Sequence, residues 1–445
     1  MTTAQTAAAQ EPLTLRRVVQ TWWPLAGSWA LMTLEGPAQS AVGARLPDAE
    51  TNLAAWGGIV FPITMVVAAP VIMLLSAANA LVTDLATYDK VRRFMMVLGL
   101  TLTLLHVGIA ATPLYDVIAG RLIGAPDVTI ARGRLGLIIM TPWALAIAYR
   151  RFHQGVMIRF GHSKAVAIGT VIRLATNVVM LGIGYVRGAS GIVVGTSAVA
   201  AGVIAEAVYA GLRALPIVRK EVPRRANPQT TLTLRGLLAF YIPLVLTSLL
   251  SIVVEPIVSA AMSRMPNALA SLAAWPVLNG LIFLLRSPAF AFNEVVVALA
   301  GKPGASHTLR RFTIALTGLS LVLTLLFTAT PLATVWFQGL MALPQGLLNL
   351  SSDALWLALL LPAQIVLLSW HQGRLVQAKE TRAITEAFAV YLIGMTLILG
   401  LGVRLQALPG LAMTVIAFEI AGAAQVGWLW RRAHQLVDAR TSEQR

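Results

Sequence analysis

The 445-residue sequence contains no cysteine, which excludes a disulfide framework, a thiolate metal site and a cysteine nucleophile. Charge is scarce: 12% of residues are charged and only 18 of the 445 are acidic. There is no Walker A loop, so any transport is not powered by nucleotide hydrolysis on this chain. Neither an HExxH helix nor an Asp-rich cluster is present, and the few carboxylates lack metal-ligand spacing, so no metal site, catalytic site or cofactor is expected. Apolar residues dominate instead, at 57% of the chain, and the mean hydropathy is +0.77. That is more apolar surface than a soluble core can hide, so the surrounding solvent must be lipid.

A bilayer core about 30 Å thick needs roughly 20 apolar residues per helix. Twelve segments of that kind stand between charged or Pro/Gly-rich breaks: 21–44, 53–82, 94–111, 135–152, 165–186, 191–212, 237–262, 269–300, 312–337, 355–377, 384–403 and 411–430. The expected fold is therefore an all-α polytopic membrane protein with twelve transmembrane helices. The first residues are polar Ala/Thr/Gln rather than a basic n-region, so no cleaved signal peptide is expected. Most of the 34 Lys and Arg fall on one side, in the N-terminal tail, alternate loops and the C-terminal tail. Arg16, Arg17, Lys90, Arg92, Arg150, Arg151, Arg219, Lys302, Arg310, Arg374 and Arg431 are examples. The other side has few, among them Arg45, Arg121, Arg187 and Arg404. Positive charge stays inside, so both termini are expected in the cytoplasm of a cell (inner or plasma) membrane. The net charge of +16 then reflects topology, and no nucleic-acid partner is expected.

The chain also repeats itself. A shift of 219 residues places Pro24 on Pro243, Pro37 on Pro256, Arg45 on Arg264 and Leu53-Ala54-Ala55-Trp56 on Leu272-Ala273-Ala274-Trp275. A shift of 218 places His153-Gln154-Gly155 on His371-Gln372-Gly373. The Arg- and Pro-rich segment 214–235 then divides a first six-helix bundle, 1–213, from a second, 236–445. An even number of spans per half makes this a parallel repeat about an axis along the membrane normal.

Those two pseudo-symmetric bundles, with proline-broken first and seventh spans, resemble the multidrug/oligosaccharidyl-lipid/polysaccharide (MOP) exporter superfamily and its V-shaped MATE-like fold. Within it the sequence is most similar to the progressive ankylosis (ANK) family. The residues that carry the likeness are PLAGSWALMTLEGPAQSAVGARL from Pro24, NALVTDLATYDKVRRF from Asn79, PLVLTSLLSIVVEPIVSAAMSR from Pro243 and the HQG segments at His153 and His371. The resemblance implies a secondary exporter working by alternating access, and a monomer in the lipid bilayer is expected. It points to small organic or phosphate-bearing anions. The superfamily also holds lipid-linked flippases and drug/cation antiporters, so those substrate classes stay open.

Polar groups at membrane depth are the candidate site residues, because a charge there is costly unless it faces water or a partner. Glu35 precedes Gly36-Pro37 and Glu255 precedes Pro256. Each sets a carboxylate beside carbonyls that proline leaves free, a place for a coupling H⁺ or Na⁺ or for a kink stabiliser. Arg173, one turn from Asn177, and Arg286, two turns before Glu294, present guanidinium forks suited to carboxylate or phosphate oxygens. Internal pairing with Glu35, Glu206, Glu255, Glu386 or Glu419 is the competing reading of both. His153 with Gln154 and His371 with Gln372 are either substrate contacts or a packing signature inherited by duplication.

Overall fold

The computed structural model describes residues 12–224, 232–377 and 380–443, and among them all regular secondary structure is helical. The first half contains α1 (Leu15–Thr33), α2 (Glu35–Gly43), α3 (Ala49–Leu81), α4 (Leu85–Ala111), α5 (Asp127–Met140), α6 (Trp143–Arg159), α7 (Ser163–Val186) and α8 (Gly191–Lys220). The second contains α9 (Leu234–Ile252), α10 (Val254–Met262), α11 (Ala268–Leu299), α12 (Ala305–Ala329), α13 (Gln345–Leu357), α14 (Leu361–Gln377), α15 (Thr381–Leu405) and α16 (Gly410–Glu443).

The duplication read from scattered identities is written in the backbone. Thr14 and Thr233 both cap the following helix, accepting from the amides of Arg17 and Gly236. The α5/α6 and α13/α14 pairs are each bent by 42°. Left-handed residues recur at the same offsets: Asp48 and Asn267 (φ 54° and 57°), Gly124 and Ala342 (72° and 53°), Gly188 and Gln406 (60° and 51°). A side chain is unfavourable in that region, so recurrence at three pairs reports one shared chain path.

Among the described residues nine helices are long and apolar enough to cross a membrane, and the two bent pairs raise the number to eleven. The twelfth expected span, 21–44, falls on α1 and α2, which meet at Leu34 as α9 and α10 meet at Val253 within the counted span Leu234–Met262. The outward faces are apolar, with Val186 85%, Leu104 70% and Leu397 68% exposed, as helices bathed in lipid require.

Two compact units are present, Ala38–Trp275 and the residues up to Pro37 together with those from Pro276 on. This packing boundary differs from the repeat boundary at 214–235, of which 225–231 lie outside the described residues. In the first unit α3 is the core, with Ile59, Val60, Ala68, Val71 and Leu74 fully buried. Glycines let neighbours close on it: a Cβ at Gly136 would lie 2.7 Å from Val60 Cγ2, and one at Gly155 2.7 Å from Ala78 Cβ. α9 joins this unit because Tyr241 and Ser248 donate to the Pro70 and Ala69 carbonyls of α3. In the second unit α1 packs on α11 and α12: Trp22 donates to the Pro288 carbonyl at 2.8 Å and meets the Phe312 ring edge-on.

Candidate functional site

Within the unit Ala38–Trp275, Glu206 on α8 is completely buried and its carboxylate is the centre of an ion cluster. Arg150 Nη1 donates to Glu206 Oε2 at 2.5 Å and Gln154 Nε2 to Oε1 at 2.9 Å, both from α6. Arg173 Nε of α7 is 3.3 Å from Oε2. Arg150 and Gln154 are four residues apart, so they share one helical face. Arg173 reaches the cluster because α8 is thin there: a Cβ at Gly202 would lie 3.0 Å from the Arg173 carbonyl. Asn177 is buried against the same glycine. The side chains of Arg150 and Arg173 are 10% and 15% exposed, so the cluster is nearly dry. Of the two readings of Arg173, pairing with Glu206 is the one the geometry displays. Arg150 is not a cytoplasmic loop cation as its place in the sequence suggested; α6 continues past it to Arg159 and buries it.

The unit from Pro276 on holds a different arrangement. Arg286 of α11 faces a cavity of about 230 Å³ lined also by Gln364, Leu368 and Gln372 of α14, Tyr391 of α15 and Gln425 of α16. Arg286 Nε is buried and makes no hydrogen bond. The carboxylate that acts on its charge is Glu419, which accepts from the Leu360 amide at 2.9 Å and from the Gln364 side chain, at the bend that starts α14. Among the described residues no ion pair within 4.0 Å joins it to Arg286. Arg286 and Gln372 therefore meet in one cavity. Glu294 does not join them; it accepts from Trp29 Nε1 at 3.1 Å.

The remaining candidates lie outside these two arrangements. Glu35 and Glu255 sit in the first turns of α2 and α10, where a carboxylate is stabilised by the helix dipole. Glu255 also accepts a hydrogen bond from Trp275. His153 Nδ1 donates to the Tyr149 carbonyl, 2.8 Å away, and the ring packs on the Phe152 and Tyr149 rings. His371 is likewise buried. Gly155 abuts Ala78 and Gly373 abuts Val296, equivalent neighbours in the two halves, so each HQG glycine seats its helix on its partner. Tyr391 and Gln425 escaped sequence reading, since neither bears a charge and nothing local marks an inward face. Their signal lay in the repeat offset, which aligns them with Arg173 and Glu206.

No protein-family model matches the chain, and no curated protein matches it in sequence. The backbone does have counterparts. An inward-facing multidrug resistance MATE family transporter of the MOP superfamily superposes with a TM-score of 0.67 over 92% of this chain and 96% of that one, at 15% identity. The fold is that of MATE transporters. An outward-facing conformation of a MATE family transporter matches with a TM-score of 0.57 at 16% identity, covering 95% of this chain and 97% of that one. The lipid II flippase MurJ, in an inward closed conformation, matches with 0.64 at 14% identity over 91% and 86%. The MATE-like fold has thus been captured open to either side of the membrane.

Proposed function

We propose that this protein is a MOP-type secondary transporter, twelve spans in two repeats, that moves a small organic or phosphate-bearing anion by alternating access. End-to-end likeness to MATE transporters in inward- and outward-facing states supports the transport reading. The observation that carries the anion class is Arg286, a cation in a membrane-spanning helix that faces a cavity while the Glu419 carboxylate is hydrogen-bonded elsewhere. In this reading Glu35 and Glu255 are the candidates for a coupling H⁺ or Na⁺. Arg173 and Asn177 support the fold of their bundle; the ankylosis-like kinship and cytoplasmic termini rest on the sequence pattern, and a monomer is part of the same reading. The likeness to a lipid II flippase favours lipid-linked substrates as the second reading. Reconstitution into proteoliposomes tests both: uptake of labelled citrate or pyrophosphate against an imposed H⁺ or Na⁺ gradient supports the anion reading. Ethidium efflux with no anion uptake overturns it in favour of a drug antiporter, and scrambling of a lipid-linked sugar with no anion uptake favours the flippase.

A further inference from the structure

The repeat allows the two polar centres to be compared position by position. α6 and α14, and α7 and α15, correspond at an offset of 218, and α8 and α16, which start at Gly191 and Gly410, at 219. Arg150 then corresponds to Leu368, Gln154 to Gln372, Arg173 to Tyr391 and Glu206 to Gln425. All four of the second set line the Arg286 cavity. The first copy of this centre holds a carboxylate from its own chain, gripped by two guanidinium groups and one amide. The second copy has the amide, has neither the carboxylate nor the two arginines at the equivalent positions, and has Arg286 on α11. The position matching Arg286 in the first copy is Val67, a buried apolar residue of α3.

What the second copy lacks is a carboxylate of its own chain at the position of Glu206. An unpaired guanidinium inside a membrane protein costs several kcal/mol unless an anion or water meets it, and an unsatisfied buried donor adds about 1–3 kcal/mol. The available space is small: about 230 Å³, below the roughly 300–1,000 Å³ of drug-sized pockets but equal to several waters at about 30 Å³ each. A planar two-oxygen anion matches the guanidinium fork. Gln372 stands where Gln154 donates to the carboxylate in the first copy. We infer that the cavity of the second repeat is a binding site for a small organic carboxylate, which takes the place that the Glu206 carboxylate fills in the first.

As a statement about substrate class this rests on the anion-transport reading; as a binding site it is measurable without transport. The decisive variant is Gln425→Glu, which restores an internal carboxylate at the Glu206 position. Acetate and lactate are titrated by calorimetry into the purified full-length protein in detergent, with chloride as the competing arm, and thermal unfolding is followed in parallel. The parent should bind the carboxylates and prefer them to chloride. Gln425→Glu should lose carboxylate binding by roughly tenfold or more while unfolding at an equal or higher temperature, since the guanidinium gains a tethered partner. Arg286→Gln should also lose binding, and acetate should no longer raise its unfolding temperature. Unchanged carboxylate affinity in Gln425→Glu, or chloride bound as tightly as acetate, overturns the assignment. Carboxylate binding by a parent that carries no carboxylate in proteoliposomes supports the site and defeats the transport reading alone. Anion uptake that Gln425→Glu leaves intact defeats the site alone.

Discussion

Replacing Glu206 by Gln should be among the most destabilising single changes in this protein. The carboxylate is 0% exposed and is touched by Arg150 at 2.5 Å, Gln154 at 2.9 Å and Arg173 at 3.3 Å. Glutamine keeps the shape and one acceptor but removes the charge, which leaves two guanidinium groups buried side by side with no counterion from this residue. Breaking a buried pair by removing one partner costs about 3–5 kcal/mol. Two cations share this one anion, so the upper end applies. At roughly 2–4 °C per kcal/mol, and less for a chain of this length, the unfolding temperature in detergent should fall by about 5–15 °C. Tryptophan fluorescence during a thermal ramp reads it. Arg173→Gln alone should cost less, because Arg150 still balances Glu206, and the Glu206→Gln/Arg173→Gln double variant should recover part of the loss by removing the surplus cation. A Glu206→Gln protein that unfolds within about a degree of the parent, or a double variant whose losses simply add, refutes the buried-cluster account.

Glycine substitutions give a matched comparison. Gly155→Ala would press a methyl to within 2.7 Å of Ala78 Cβ and should cost about 1–3 kcal/mol of stability in the same thermal assay. Gly182→Ala, with open space around its Cβ, should be neutral or stabilise by up to about 1 kcal/mol. The cysteine-free chain makes topology directly readable. Arg187→Cys and Arg404→Cys should react with an impermeant maleimide on intact cells and Arg225→Cys, a position outside the described residues, only after permeabilisation; the reverse pattern inverts the orientation. Arg264 donates to the carbonyls of Ala260, Arg121, Leu122 and Ile123, so Arg264→Ala should speed hydrogen exchange across 117–124. Unchanged exchange there would mean those carbonyls hold their turn unaided.

Much of the architecture was legible in the one-dimensional pattern because lipid imposes a simple rule: a spanning segment must be long, apolar and helical. Composition alone therefore determined an all-helical membrane chain, and the recurrence of Pro37 at Pro256 and of His153-Gln154-Gly155 at His371-Gln372-Gly373 determined a duplication that the caps, bends and left-handed residues repeat. Charge at depth was legible as well, which is why Arg173 and Arg286 stood out before any helix was packed. Their different fates were not. Whether a guanidinium meets a carboxylate depends on how closely two helices approach, and that is decided by Gly202 beneath Arg173, by Gly169 beneath Glu206 and by the bend that turns Glu419 toward Leu360. Arg150 reads as a loop cation until α6 is seen to continue past it, and Tyr391 and Gln425 carry no charge to announce them. The sequence by itself determined that cations lie within the membrane-spanning helices. Only the tertiary packing decided which of them is neutralised by its own chain and which faces open space, because an ion pair is set by a few ångströms of helix separation that no residue spacing encodes.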